Sequence, residues 1–267
     1  MQIENYFETT EKEYWRKEIE KGDWRAAKYL SEIIDTEKFA QAYGKNAQVL
    51  LLVEGKKLIA FCTYAEHDEI PDPDLKPWSG FVYTFPEFRG ARRMGKLLEH
   101  VYLLAKKDGY PFLYISTEEE GLYEKYGFTY WISMENEWGD LSRIYRMKIE
   151  EKDYSEVLGR KIEGTIDRPL GSAHPDHPDM IYPVNYGYVD GVFAQDGEEQ
   201  DVYLLGTDQP LEKFSASVIG VVHRLNDCED KWIATPDGKT MDRESVLHAI
   251  SFQEQYYMGE LYLQKST

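Results

Sequence analysis

Apolar positions follow a helical period early in the chain and a strand period soon after it. Over residues 23–34, Ala26, Ala27, Leu30, Ile33 and Ile34 recur at helical spacing, with Asp23 as the expected N-cap. Upstream, Thr10 and Glu13 read as a capping box for a helix ending near Gly22, and a third short helix reaches Gly44. QVLLLVEGKKLIAFCTYAEH then reads as two strands around a turn at 54–57. The proline-rich PDPDLKPW is a loop, and GFVYTF a buried strand. In RRMGKLLEHVYLLAKKDG, Met94, Leu97, Leu98, Val101, Leu104 and Ala105 share one face, and Gly109 stops the helix. FLYIST is the next strand. Thr117 and Glu120 predict a capping box for a short helix, EEEGLYEKYG, and FTYWISMEN with SRIYRMKI reads as a strand pair.

From residue 150 the texture changes. EEKDYSEVLGRK is charged and reads as a linker. Short strands follow (KIEGTID, a segment within 182–201, DVYLLG, SASVIGVVHRL, DKWIAT), and DRESVLHAISFQEQYYMGELY reads as a closing helix. The pattern predicts an α+β chain of two domains: residues 1–150, a linker at 151–160, and a mainly β domain at 161–267.

Composition narrows the partners. Of 267 residues, 42% are hydrophobic, enough for a real core, and the net charge is −18. Most of the excess falls in residues 151–267, with 10 Lys and Arg against 22 Asp and Glu. Such a surface disfavours nucleic acid and anionic membrane, and suits cationic or metal-bound partners. Two cysteines, Cys62 and Cys228, are too few for a disulfide framework. With no apolar signal core and no window of membrane-spanning length, a cytoplasmic protein is expected.

Two stretches carry candidate chemistry. FPEFRGARRMGKLL joins a buried strand to a strong helix. A small-residue loop opening a helix presents free backbone N–H groups and the positive end of the helix dipole, which together attract a diphosphate. Arg89, Arg92 and Arg93 add charge, and Gly90 and Gly95 let a ligand approach the backbone. Arginines at a helix start are also ordinary surface residues.

The order of strand, basic loop, helix, strand, LYEKYGF turn and strand pair resembles the GNAT family of N-acetyltransferases over residues 1–150. RGARRMG departs from that family's usual glycine-rich loop by an arginine or methionine where glycine is common and by one extra residue. The resemblance implies a GNAT-like mixed sheet that binds acetyl-CoA. The backbone of Val82, Tyr83 and Thr84 would meet the pantetheine arm. Arg89, Gly90, Ala91, Arg92, Arg93, Met94 and Gly95 would hold the diphosphate. Tyr123 would protonate the leaving thiolate, its plainer reading being a core tyrosine. Glu66 would serve as base, with His67, Asp68, Glu69, Glu87 and Glu118 as further candidates. The acceptor would be a small-molecule primary amine, cationic if the acidic mouth selects for charge. A homodimer is a further expectation.

The second stretch, YPVNYGYVDGVFAQDGEEQDVYLLG, resembles the soluble Mg-dependent inorganic pyrophosphatases at Tyr182, Pro183, Asn185, Tyr186, Gly187, Tyr188, Asp196, Gly197 and Asp201. That resemblance implies a small OB-type β-barrel with a C-terminal helix. Mg2+ would sit on Asp196, Glu198, Asp201, Asp227 and Asp230, with Glu229 a further candidate. Phosphate would meet Arg168, Tyr186, Lys231 and Tyr256. Hard Mg2+ favours carboxylate oxygens, and Arg and Lys take phosphate oxygens. Several residues depart from the pattern: Glu198 replaces an aspartate, Tyr257 a lysine, and Asn226 stands where an aspartate is expected. The family's N-terminal hairpin has no counterpart. An inserted HPDHPD loop offers His174, Asp176, His177 and Asp179 as ligands or a lid. Three readings of residues 161–267 stay open: a trimmed phosphohydrolase, a binder of metal or phosphate without turnover, and a structural or dimerising module. For the whole chain, acetyl transfer stands first, against phosphohydrolysis or a non-catalytic acyl-CoA sensor.

Overall fold

The structure, a computed structural model, describes residues 1–264 apart from 176, 195 and 228. The chain forms two compact units, Met1–Glu150 and Glu151–Thr267. Among the described residues, no helix is long and apolar enough to cross a membrane.

In the first unit, β1 (Gln2–Asn5), β2 (Gln48–Glu54), β3 (Lys57–Tyr64) and β4 (Tyr83–Thr84) form an antiparallel sheet in that order. β2 and β3 are buried along nearly their whole length, so the sheet needs cover on both faces. α1 (Lys12–Glu20), α2 (Arg25–Ile33) and α3 (Glu37–Tyr43) cover one face, where Trp15, Ile19, Leu30 and Phe39 pack with Leu51, Val53 and Phe61. α4 (Met94–Lys107) packs against β2, β3 and β5 (Phe112–Thr117). β5, β7 (Leu141–Lys148) and β6 (Thr129–Glu135) form a second sheet in the order β5-β7-β6.

Several local expectations change. β1 is a strand that its polar sequence did not announce; it pairs along the edge of β2. α1 and α2 begin at Glu11 and Trp24 without side-chain caps. Asp23 is drawn away from its helix because its carboxylate accepts the Tyr83 hydroxyl at 2.5 Å. The LYEKYG segment forms only a 3-10 turn, Tyr123–Tyr126, and Thr117 accepts from the Glu119 N–H at 3.0 Å instead of capping a helix. Gly121 and Gly127, both left-handed, bound that turn and leave no length for an α-helix.

In the second unit, β8 (Lys161–Arg168), β9 (Asn185–Phe193), β10 (Glu199–Leu204), β11 (Lys213–Arg224) and β12 (Asp230–Thr235) close on themselves. The order is β12-β10-β9-β8-β11, and β12 pairs back with β11, so the five strands form a barrel without free edges. Ile162, Val189, Val202, Leu204, Val218 and Ala234 pack together as its core. The barrel is tight where β8 crosses β9: a Cβ added to Gly164 or Gly187 would run into the carbonyl oxygens of Tyr188 or Thr165. α5 (Arg243–Glu254) lays Val246 and Ile250 over Tyr182, Tyr203, Ile219 and Ile233. The closing helix is shorter than its sequence predicts. After Glu254 the chain turns, and β13 (Gly259–Leu263) pairs with β11 from Gly220 to Arg224. GELYL opens with a helix-weakening glycine, and β11 extends past the barrel to offer it a partner.

Candidate active site

The two sheets of the first unit are linked at one point and then part. Residues 77–80 link them. The Thr63 N–H donates to the Gly80 carbonyl at 2.8 Å, and Trp78 pairs with Ala65. On the other side, Ser79 N–H donates to the Tyr114 carbonyl at 2.9 Å, and Trp78 makes a parallel bridge to Tyr114. Beyond Gly80 the strands diverge: β4 becomes the edge of one sheet and β5 the edge of the other. Phe81 turns the backbone there with φ of 47°, uncommon for a residue with a side chain. Among the described residues no strand pairs with the outer edge of β4, so the outward backbone groups of Val82 and the Thr84 N–H are left for a ligand, while Arg89 takes the Thr84 carbonyl. The Tyr83 side chain is buried and bonded to Asp23, and its backbone faces β3 opposite Phe61.

From β4 the chain runs through residues 85–93 to the start of α4. Gly90 (φ 87°) and Arg92 (φ 49°) coil the loop, and no side chain caps the helix. The Gly95 and Lys96 N–H groups of the first turn donate to the Arg92 and Arg93 carbonyls at 2.9 and 3.3 Å, so what the helix start offers a ligand is its positive dipole end and the arginines beside it. Arg89, Gly90, Ala91 and Arg92 are exposed and Arg93 half-buried, while Met94 and Gly95 are buried and belong to the helix core. The Arg89 Nε donates to the Thr84 carbonyl at 2.9 Å, and its guanidinium lies 5.6 Å from the Tyr83 ring centre. Arg93 stacks over Phe88 at 5.5 Å.

Tyr123 lies between the sheets. Its ring packs against Phe128 and, at 6.4 Å, against Tyr145 on β7. Burial first, then the charges of Cys62 on β3, Glu119 and Asp68, pushes its phenol above the ordinary range. Its hydroxyl makes no hydrogen bond among the described residues.

The acids following β3 separate into different roles. Glu66 packs along Gly44 and accepts from Asn46 Nδ2 at 3.3 Å. Glu69 takes two hydroxyls, Ser116 and Ser142, each at 2.6 Å. Glu87 and Glu118 are exposed. Asp68 alone lies against the segment leading into β4. One oxygen accepts the Glu69 N–H at 2.7 Å; the other, Oδ2, sits over Gly80 where any Cβ would collide with it. Asp68 keeps part of its surface open, yet the protein packed around its carboxyl pushes its pKa up to about 7, outweighing the Glu69 N–H that lowers it. The sequence did not distinguish Asp68 from its acidic neighbours. Its distinction comes from facing a glycine twelve residues later, a register no periodicity reveals.

In the second unit, part of the predicted set assembles. Lys231, buried, bonds both Asp201 and Glu229. A carboxyl–carboxyl hydrogen bond to Glu229 holds Asp196 below the ordinary range, while burial and that same bond raise Glu229. Tyr186 is buried and its phenol is pushed well up by burial, next by the nearby Asp201. Arg168 pairs with Asp167 at 2.8 Å.

Other predicted ligands go elsewhere. Asp230 accepts from Tyr154 at 2.6 Å and pairs with His223 Nδ1 at 2.7 Å. It precedes Lys231 on β12, and adjacent strand residues point to opposite faces. Asp227 pairs with Arg224 at 3.0 Å. Glu198 is exposed in a turn whose N–H bonds Asp196 at 3.0 Å, and Tyr256 is 47% exposed. His174 stacks on Tyr182 with rings 7° apart and His177 beside it; Asp179 is exposed and Asp176 lies outside the described residues.

Asn185 proves to be a staple. Fully buried, it accepts from Leu170 and Leu211 N–H and donates to Thr207 Oγ1 and the Gln209 carbonyl, all at 2.9 to 3.1 Å. Arg224, also buried, makes a two-pronged bond to Glu254 at 3.0 and 2.6 Å and ties β11 to α5.

These residues do not fit Mg2+. Among the described residues, no group of three or more His, Cys, Asp or Glu side chains is arranged to hold a metal ion. The Lys231 ammonium takes the place between Asp201 and Glu229 that a cation would occupy.

A comparison with protein families finds no match, nor does one with curated proteins. Solved structures give two groups of similar folds. A GNAT family acetyltransferase from Elizabethkingia anophelis, with acetyl-CoA bound, is 18% identical with a TM-score of 0.37, over 55% of this chain and 97% of its own. The inorganic pyrophosphatase from Ehrlichia chaffeensis is 17% identical with a TM-score of 0.33, over 43% of this chain and 92% of its own. That from Neisseria gonorrhoeae is 26% identical with a TM-score of 0.30, over 39% and 81%. The two groups correspond to the two resemblances read from the sequence. The fold class is α+β, a pair of sheets flanked by helices followed by a closed barrel with its own helix.

Proposed function

We propose that the first unit transfers an acetyl group from acetyl-CoA to an amine. The observation that carries this reading is the open edge of β4 leading to an uncapped, arginine-flanked helix start. An extended arm with alternating amides suits an unpaired strand edge. A diphosphate suits the positive end of a helix with arginines beside it. Val82 and Thr84 would hold the arm through their outward backbone groups, with Tyr83 between them as the paired residue, and Arg89 to Arg93 the diphosphate. Acetyl-CoA supplies an activated thioester. Tyr123, kept protonated by burial, would give the departing sulfur its proton.

Thiol release from acetyl-CoA against a panel of primary amines tests the proposal. Arg92→Glu is expected to weaken acetyl-CoA binding at least about tenfold by reversing a charge at the diphosphate. Unchanged binding would remove the loop from the account.

For the second unit, the Lys231 ion pairs favour a structural module over a Mg-dependent phosphohydrolase. Phosphate release from pyrophosphate with Mg2+ at a rate well above background would reverse that preference.

A further inference from the structure

Asp68 differs from the other half-buried or bonded acids of the first unit. Asp35 accepts the Tyr6 hydroxyl at 2.7 Å, Asp108 the Tyr64 hydroxyl at 2.7 Å, and Asp23 the Tyr83 hydroxyl. Glu69 has its two serines. Asp68 Oδ2 has no donor among the described residues, and Asp68 keeps open surface at the point where β4 leaves β5. Thr63 Oγ1, on the same face of β3 as Phe61, would stand 2.9 Å from a Cβ on Gly80, which fixes the face on which Asp68 lies.

That face carries an aromatic wall. Trp24, 39% exposed, stacks on Tyr83 with ring centres 6.0 Å apart and planes 7° apart, and meets Phe81 edge-on at 6.3 Å. Phe81 contacts Tyr43 at 5.4 Å. The charges of Asp68, Glu137 and Glu69 all act on Tyr43. An exposed indole thus leads through two rings to an acid with a free oxygen.

We infer that Asp68 takes the proton from the ammonium of the acceptor, and that Trp24, Phe81 and Tyr43 hold the acceptor's apolar body, so the substrate class is a primary amine on an aromatic or alkyl skeleton. This rests on the acetyl-transfer reading above. The ammonium gives one proton to Asp68. The freed nitrogen lone pair attacks the thioester carbon; the C–N bond forms, and the C–S bond breaks. The sulfur leaves with its electron pair and takes the Tyr123 proton. The nitrogen's second proton restores Tyr123, and Asp68 later loses its proton to water. The products are the amide and the thiol.

The test uses the full chain with acetyl-CoA and 2-phenylethylamine as the probe amine. Wild type is expected to release thiol faster with this amine than with ethanolamine. Asp68→Asn, nearly isosteric, is expected to lower kcat about 100-fold or more while calorimetric binding of acetyl-CoA is unchanged. Asp68→Glu is expected to restore part of kcat, which a purely structural role would not require. Trp24→Ala is expected to raise KM for 2-phenylethylamine about fivefold with little change in kcat. If acetyl-CoA binds normally and Asp68→Asn keeps kcat within about twofold, the proton role is wrong, since general-base losses are far larger. Equal rates with ethanolamine would overturn the aromatic wall. Failure of wild type to bind acetyl-CoA would overturn the acetyl-transfer reading and this inference with it.

Discussion

Asp68 Oδ2 lies directly against Gly80, at the spot a side chain on that residue would fill. Gly80 also donates its N–H to Thr63 Oγ1 at 3.2 Å, so its backbone is held from both sides. A methyl group at this position has to push Asp68 or Thr63 aside. Gly80→Ala is expected to destabilise the first unit by about 1–3 kcal/mol, the usual range for overpacking, and to lower acetyl transfer by moving Asp68. Thermal unfolding and thiol release measure both effects; wild-type values for both would show that Asp68 does not depend on this contact.

Asp68 also predicts a pH dependence. Tyr43, Tyr123, Glu69 and Glu137 are the titratable groups near it, and burial is the largest cause of its raised pKa, about 7. As a proton acceptor it works when ionised, so kcat should rise with pH through about 7 and then level. Stability runs the other way. Between the unfolded aspartate's pKa of about 4 and the folded value, the unfolded chain loses a proton that the folded chain keeps, so stability falls as pH rises. Asp68→Asn is therefore expected to be more stable than wild type at pH 8 by about 1–2 kcal/mol, with the gain vanishing below about pH 4. A variant less stable than wild type at pH 8 would contradict the buried, uncompensated carboxylate.

Tyr123→Phe removes a hydroxyl that no described residue bonds, so its structural cost should be small. Thiol release is expected to fall about 100-fold, with acetyl-CoA binding intact. An unchanged rate would leave Tyr123 as a core residue.

In the barrel, Lys231 neutralises Asp201 and Glu229 in a buried setting. Lys231→Met leaves those charges unpaired and is expected to destabilise the second unit by about 3–5 kcal/mol. Millimolar Mg2+ is expected to leave the wild-type melting midpoint unmoved and to restore part of the loss in the variant, where the carboxylates are free to bind an ion. A rise in the wild-type midpoint with Mg2+ would show that the ion displaces Lys231.

Elements whose apolar residues repeat along one face or run without a break were legible in the sequence. α4 and the β2–β3 hairpin follow directly from Met94, Leu97, Leu98 and Val101 and from QVLLLVE with KLIAFCTY. Pairings between distant segments were not. Asp68 and Gly80 meet only through the register of β3 with residues 78–80. Asp230 and Lys231 are neighbours in sequence, yet the strand sends one to His223 and the other to Asp201. Asn185 belongs to the stretch most suggestive of metal chemistry, and its hydrogen bonds go to two loops of its own unit. Asp23 had the right identity for a helix cap, but a buried tyrosine hydroxyl 60 residues away claims it.

Hydrogen–deuterium exchange on the full chain, with and without acetyl-CoA, tests the central claim without needing to know the acceptor. The account predicts that acetyl-CoA slows exchange at the backbone amides of residues 82–84 and 89–95 and leaves β8 to β13 unaffected. No protection in those two segments, or protection confined to the barrel, would contradict it.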